Sequence, residues 1–278
     1  MTVIIDGKAV SEKILAELKQ KVSKMDKKPH LVVIQVGNNT ASNIYVNLKK
    51  KKAEEIGIKS TVMNFDESIS ETDLMTEIDK LNKNKDVHAI LVQLPLPKHI
   101  CTNNIIKAIS PCKDVDGFTA QNSGDLINGI TPSAYPCTPK GIIRLLEEYN
   151  IEIAGKHAVI VGRSNIVGKP IAIMLLNKNA TVTICHSKTK NLSEMTRQAD
   201  ILISAVGKKI IYKDMVKQDA VVIDVGIFKD ENGKTTGDVD FENVKEIAGY
   251  ITPVPKGVGP MTIASLMENT LDLFEKQQ

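Results

Sequence analysis

No apolar run in the sequence approaches the roughly 18–20 residues that a membrane-spanning helix needs, so no membrane partner is expected. Charge of one sign is not in excess either: 36 Lys and Arg stand against 33 Asp and Glu, a formal net charge of +3. Such a balance lacks the basic surface with which nucleic-acid binders neutralise phosphates, and no nucleic-acid partner is expected. The basic run at 49–52 is local and reads as a solvated helix face. The four cysteines, Cys101, Cys112, Cys137 and Cys185, have no C-x-x-C spacing, and the five histidines have no metal-ligand spacing. That argues against a disulfide framework and a metal site, and fits reduced thiols in a cytoplasmic protein. The opening MTVIIDGKAV carries Asp6 and lacks the basic-then-apolar order of a secretion signal, so no secretion is expected. Tryptophan, low-complexity segments and short-period repeats are absent as well.

What is present, 42% apolar and 25% charged residues over 278 positions, is the composition of a globular protein with two domains or one large one. Apolar residues at helical spacing (Val10, Ile14, Leu15, Leu18, Val22) predict an amphipathic helix over 8–25. LVVIQVG (31–37) reads as a buried strand, 38–58 as a helix entered through cap residues, and STVMNF (60–65) as a strand. A helix over 71–84 and a third strand, VHAILVQLPLP (87–97), follow. The stretch 111–142 is dense in Pro, Gly, Asp and Asn, and is the candidate region between domains. A helix over 139–149 leads to strands at 157–162, 180–185, 200–206 and 220–225, and an amphipathic helix closes the chain at 258–276. Strands alternating with helices predict the α/β class, with parallel sheets in two doubly wound units.

The segment 158–170, AVIVGRSNIVGKP, is a strand, a glycine turn and a helix start. Gly162 opens the turn, Arg163 and Ser164 follow it, and Ile166 and Gly168 lead into the helix. Glycine lets a backbone approach an anion closely, and a helix N-terminus offers N–H groups and a positive dipole end. The spacing is not G-x-G-x-x-G, so two readings fit: a phosphate-binding turn, or an ordinary strand-to-helix turn in a parallel sheet. Ligands of such sheets lie beyond the carboxyl ends of the strands, which draws attention to Gly162–Ser164, His186–Thr189, Gly207 and Gly226.

A turn that binds NAD is normally followed, about 20 residues on, by an acid that holds the ribose hydroxyls. Here the second strand ends in Cys185, His186, Ser187, Lys188 and Thr189, with no acid. Hydroxyl, lysine and histidine suit a 2′-phosphate, and Arg163 adds a planar cation, so NADP is favoured over NAD.

In the helix over 41–57, Tyr45, Lys49, Ala53 and Ile56 are spaced by four, four and three, which puts a lysine on a stripe of aromatic and apolar residues. One reading desolvates Lys49 and crowds it with the like charges of 50–52, lowering its pKa toward what acid/base chemistry uses; the other lets it snorkel to solvent. Gln93 ends the third strand, where its amide would orient Lys49 or a substrate. Asp114 and Asp116 lie in KDVDGF, where a carboxylate either accepts paired N–H bonds from an aminopyrimidine-like edge or shapes the turn before Gly117.

Taken together, YVNLKKKKAEEIGI (45–58), VQLPLP (92–97), KDVDGF (113–118), PCTPKG (136–141), VGRSNIVGKP (161–170), CHSKT (185–189), GDVD (237–240) and TPVPKGVGPMT (252–262) resemble the bifunctional methylenetetrahydrofolate dehydrogenase/methenyltetrahydrofolate cyclohydrolase family. The resemblance implies an N-terminal catalytic α/β domain and a C-terminal Rossmann-like dinucleotide-binding domain, with a cleft between them that binds tetrahydrofolate derivatives. It places the first domain at 1–138, completed by a helix at 260–278, and the NADP domain at 139–259. It also implies a homodimer formed through the second domain. By position it makes Lys49 the catalytic lysine, with Gln93 positioning it and Tyr45 packing against the folate ring. Asp116 holds the pterin, and Gly259 and Pro260 complete the substrate contacts. Arg163 and Ser187 meet the 2′-phosphate, within a cofactor set that also takes in Gly162, Ser164, Ile166, Gly168, His186, Gly207 and Ile227. One departure stands out: Lys256 occupies a position that is glycine in many relatives, in a loop that reads PGGVGPMT there.

The activity so implied is oxidation of 5,10-methylenetetrahydrofolate to the methenyl cation, then hydrolysis to 10-formyltetrahydrofolate. The alternatives are an NAD(P)-dependent amino-acid or hydroxy-acid dehydrogenase, for which no proton-transferring histidine near the nucleotide turn is evident, and a non-catalytic dinucleotide-binding protein.

Overall fold

The computed structural model describes residues 1–231 and 233–278, and the side chains of all of these except Thr40 and Ala41. The chain opens with β1 (Val3–Ile4) and α1 (Gly7–Ser23). A first alternation runs β2 (His30–Val36), α2 (Thr40–Glu55), β3 (Lys59–Phe65), α3 (Glu71–Lys83), β4 (Ala89–Val92). Helices α4 (Thr102–Ala108), α5 (Ala120–Ile127) and α6 (Cys137–Glu148) lead to a second alternation: β5 (His157–Val161), α7 (Gly168–Asn177), β6 (Thr181–Cys185), α8 (Leu192–Thr196), β7 (Ile201–Ser204), β8 (Val221–Asp224). The antiparallel pair β9 (Phe228–Lys229) and β10 (Thr235–Thr236), then α9 (Phe241–Val244), β11 (Tyr250–Ile251) and α10 (Val258–Lys276), complete it. Among the described residues, no helix is long and apolar enough to cross a membrane.

Two units divide the chain: Lys13–Cys137 with Ile263–Gln278, and Met1–Glu12 with Thr138–Thr262. The first is built on a parallel sheet in the order β3-β2-β4. Every residue of β2 is buried, the apolar run 31–34 as a central parallel strand requires, and His30 and Gln35 with hydrogen-bond partners. Helix α3 starts where the Ser70 hydroxyl accepts the Asp73 N–H at 3.0 Å, and it buries Leu74, Ile78 and Leu81, one stripe at helical spacing. These side chains join Val32, Ile34 and Ile90 in one core. A further segment lies beside β4: Ile90 N–H donates to Lys113 O at 2.7 Å, and Asp114 bridges Ile90 in the parallel sense. The end of β4 and the DVDG turn are thereby brought to the same edge.

The second unit holds six parallel strands in the order β1-β11-β8-β7-β5-β6. Its β5, β7 and β8 are apolar throughout their buried lengths except for Ser204 and Asp224 at their carboxyl ends.

Several expectations are corrected. Residues 1–12 were placed in the first domain, but β1 pairs with β11 and the segment packs in the second unit. The strand expected over 87–97 is regular only at Ala89–Val92; Gln93 still donates its N–H to Ile34 O, and the prolines beyond it have no N–H to continue a ladder. The region 111–142, expected between domains, does hold the boundary between the two units at 137/138, but it is not all loop: it contains α5, capped by Thr119, and the start of α6.

Candidate active site

The first unit brings Lys49 and Gln93 together. Lys49 Nζ donates to Gln93 Oε1 at 3.0 Å, and Gln93 Nε2 donates to Leu94 O at 2.7 Å. The second bond fixes which end of the amide faces the lysine. The stripe on α2 grades from Tyr45, 43% exposed, through half-buried Lys49 to buried Ala53 and Ile56. Tyr45 thus presents its ring to solvent one turn ahead of the ammonium. The crowding expected from 50–52 is offset: Lys50 lies 3.9 Å from Glu54, and Lys51 and Lys52 lie 4.0 and 2.7 Å from the two oxygens of Glu55. The sequence pattern had counted the lysines without the glutamates three and four residues on.

The two aspartates of KDVDGF separate by role. Asp114 is 1% exposed, and its Oδ2 accepts the Thr119 N–H at 2.7 Å and Asn122 Nδ2 at 2.9 Å. It ties the turn to the start of α5. Asn122 went unremarked in the sequence, where only the shift from loop to helix at Thr119 would have pointed to it. Asp116 is partly buried and, among the described residues, takes only a long contact from Cys137 Sγ, 3.6 Å. Desolvation pushes its carboxyl up to about 6, with Lys49 opposing that rise and Asp114 adding to it. The half-free carboxylate is electrostatically coupled to the lysine that Gln93 holds.

In the second unit the glycine turn follows β5. Gly162 has φ +127°, and a Cβ there would stand 2.6 Å from Ala205 O; one on Gly168 would stand 2.2 Å from Gly162 O. Only glycine permits this folding of the turn onto α7 and the segment after β7. Ser164 Oγ accepts the N–H groups of Val167 and Gly168 at 3.2 and 3.3 Å, leaving its own O–H free to donate. The N–H groups of Asn165 and Ile166 make no hydrogen bond among the described residues, and Arg163, Ser164 and Ile166 are exposed. Free N–H donors, a hydroxyl and a guanidinium on one exposed turn before a helix N-terminus suit a phosphate.

The turn after β6 offers groups of the same kind. His186 N–H donates to Thr189 Oγ1 at 2.8 Å, and Lys188 N–H donates to His186 Nδ1 at 3.1 Å, which leaves the ring proton on Nε2. Ser187 and Lys188 stand exposed with no acid in the turn. Beyond β7 and β8, exposed Val206, Gly207 (φ +77°) and Ile227 line the carboxyl ends of the strands. A Cβ on Gly259 would meet Ile227 Cδ1 at 3.6 Å, ordinary contact, and Pro260 is the third residue of α10. Lys256 adopts φ +83°, a left-handed conformation, and its O accepts the Lys8 N–H at 3.0 Å. A dinucleotide fits this donor set, and the lack of an acid after β6 favours NADP.

The family model described as tetrahydrofolate dehydrogenase/cyclohydrolase, catalytic domain, matches residues 5–116, and the one described as tetrahydrofolate dehydrogenase/cyclohydrolase, NAD(P)-binding domain, matches 136–278. The bifunctional protein FolD of Streptococcus agalactiae is 55% identical over 275 residues, which cover 97% of this chain and 96% of that protein. The crystal structure of the bifunctional enzyme FolD, methylenetetrahydrofolate dehydrogenase/cyclohydrolase, of Campylobacter jejuni is 50% identical, with a TM-score of 0.98 and full coverage of both chains. The methylenetetrahydrofolate dehydrogenase-cyclohydrolase of Trypanosoma brucei, solved with NADP cofactor and inhibitor, is 36% identical, with a TM-score of 0.94, and the match covers 99% of this chain and 98% of that one.

Proposed function

The chain belongs to the tetrahydrofolate dehydrogenase/cyclohydrolase family, and on that premise we propose that it oxidises 5,10-methylenetetrahydrofolate with NADP and hydrolyses the resulting methenyl cation to 10-formyltetrahydrofolate. The observation that carries the reading is Lys49 held by Gln93 and coupled to Asp116, in a chain that also bears the glycine turn. The folate chemistry is assigned to the unit of Lys13–Cys137 and Ile263–Gln278, and dinucleotide binding to the other. The enzyme is assigned to the cytoplasm, as a homodimer formed through the second unit.

Bound NADP supplies the hydride acceptor. In that oxidation the lone pairs of the two flanking nitrogens expel the hydride from the methylene carbon, so no side chain abstracts a proton; the protein's task is orientation. Asp116, ionised, accepts paired N–H bonds from the aminopyrimidine edge, and the exposed ring of Tyr45 packs on the pterin. Arg163 and Ser187 hold the 2′-phosphate, with His186, the turn Gly162–Ser164–Ile166–Gly168, and Gly207 and Ile227 completing the nucleotide contacts.

In the hydrolysis, water adds to the cationic carbon, and the adduct loses a proton. The remaining hydroxyl then gives up its proton as the C=O forms and the bond to N5 breaks, while N5 takes up a proton; two protons leave and one is taken up, so the formyl group stays on N10 and one proton is released overall. Lys49 accepts and returns the proton, and Gln93 keeps its Nζ aimed. Ligand-induced stabilisation tests the reading: a tetrahydrofolate derivative and NADP each raise Tm, as ligands that bind only the native state must. A shift with hydroxy acids or amino acids and none with folates would overturn it in favour of another dehydrogenase.

A further inference from the structure

The GDVD segment brings two carboxylates into the interior of the second unit. Asp238 is 0% and Asp224 3% exposed. Asp238 Oδ2 accepts the Ser204 hydroxyl at 2.8 Å and the Val206 N–H at 2.7 Å, while Oδ1 accepts the Lys208 N–H at 2.9 Å. Its backbone O accepts the N–H groups of Ile210 and Ile211 at 2.8 and 3.1 Å. Asp224 Oδ1 accepts the N–H groups of Gly226 and Asp238 at 3.0 and 2.9 Å, and Oδ2 accepts that of Val239 at 2.9 Å. The six donors to the carboxylates are neutral, five backbone N–H groups and one hydroxyl, so neither charge is balanced by any of its hydrogen-bond partners. The packing is as tight as backbone allows. A Cβ on Gly226 would stand 1.9 Å from Asp238 Oδ1, and one on Gly237 would stand 2.1 Å from Asp224 Oδ2.

Burying two neighbouring carboxylates without a cation is costly, and apolar residues would pack this interior more cheaply. What the pair supplies instead is a set of acceptors that no apolar side chain offers. Asp238 takes hold of the chain at 204, 206 and 208, and Asp224 takes hold of it at 226 and of Asp238's own backbone. These segments follow β7 and β8 and carry Gly207 and Ile227. The first also abuts the glycine turn: Ala205 N–H donates to Val161 O at 2.8 Å, and Ala205 O stands against Gly162.

We propose that Asp224 and Asp238 are the positioning pair of the nucleotide site, a buried two-carboxylate hub that holds the segments after β7 and β8 in the shape that receives the dinucleotide. The proposal rests on the NADP reading above. Neither residue touches substrate or cofactor; both act through the backbone they hold.

Asp238→Asn is the test. The amide matches the carboxylate in size but must turn its NH2 either toward Val206 and Ser204 or toward Lys208, setting donor against donor. The expected result is a rise of about tenfold in KM and Kd for NADP, the scale of one lost hydrogen bond to a charged group, with kcat within about twofold. Hydrolysis of methenyl cation supplied directly needs no dinucleotide and is expected to be unchanged. Ser204→Ala removes a single donor and is expected to raise KM for NADP by about threefold, so the test stands even where the Asp238 variant fails to fold. Both activities falling together in folded Asp238→Asn, or NADP affinity unchanged in both variants, would overturn the proposal. A wild-type protein that reduces no NADP would instead sink the reading on which it rests.

Discussion

Lys49→Met removes the ammonium and keeps the length of the apolar stem. Two effects follow from the geometry. Proton transfer by a positioned side chain accounts for about 10²–10⁴ in rate, or about 2.7–5.4 kcal/mol of barrier, and that is the expected loss in hydrolysis. The second effect concerns Asp116. Its carboxyl is pushed up to about 6 with Lys49 holding it back, so losing the cation raises it further. With a pKa of about 6, about ten carboxylates in eleven are ionised at pH 7, and the rise leaves fewer. Folate affinity at pH 7 then falls and the pH midpoint of KM for folate moves up, while the variant and wild type draw together as pH rises toward 8.5. The assay follows decay of supplied methenyl cation, and in parallel NADP reduction with methylenetetrahydrofolate from pH 5.5 to 8.5. Hydrolysis within threefold of wild type would remove Lys49 from the proton transfer. An unmoved midpoint would show that Asp116 does not hold the substrate as an ion.

Gly168→Ala places a methyl 2.2 Å from Gly162 O, so backbone must shift; an overpacking cost of about 1–3 kcal/mol in stability and a large loss of NADP affinity are expected, read by Tm and NADP titration. Lys256 holds φ +83°, which costs a side-chain-bearing residue roughly 1–2 kcal/mol, while glycine loses about 0.4–1 kcal/mol through the unfolded chain, so Lys256→Gly is expected to stabilise by about 0.5 kcal/mol; a lowered Tm would contradict this. Two sets of buried groups give opposed slopes of stability against pH below about 6.5, and above it Asp224 alone is left, so Tm is expected to fall from pH 6.5 to 7.5. Burial raises Asp116 to about 6 and Asp224 to about 7 from the ordinary 3.8, so the stability they give is full below about pH 4 and is lost by the time pH has risen through those values. Burial lowers His30 and His88 below 6.5, so the unfolded chain takes up protons first and stability falls as pH drops below about 6.5. Tm rising from pH 6.5 to 7.5 would refute that balance.

The alternation of helices and strands was legible because apolar periodicity persists over ten or more residues in α1, α3 and α10 and apolar runs mark β2, β5, β7 and β8. The two-residue strands β1 and β11 carry no period, and their pairing joins positions 3 and 250, a contact that no local pattern announces. Hence the pairing of β1 with the second unit's sheet was not legible. Helix α5, AQNSGDLI, has turn-forming residues and little apolar face, so only its Thr119 cap marks it. At the site, residue types at the ends of β4 and β5 pointed to Gln93 and Gly162, and helical spacing pointed to Lys49. Which aspartate of KDVDGF is structural was not legible, because Asp114 is distinguished only by donors from α5 that folding delivers. Asp224 and Asp238 escaped for a related reason: a carboxylate in sequence looks exposed, and only the packed sheet shows it enclosed.

The most direct measurement is the simultaneous yield of reduced dinucleotide, methenyl cation and 10-formyltetrahydrofolate from 5,10-methylenetetrahydrofolate, with NADP and then with NAD. Reduced NADP and 10-formyltetrahydrofolate forming in equal amounts, faster than with NAD, is the predicted result. Reduction that stops at accumulated methenyl cation would contradict the role given to Lys49, and no reduction with either dinucleotide would contradict the account as a whole.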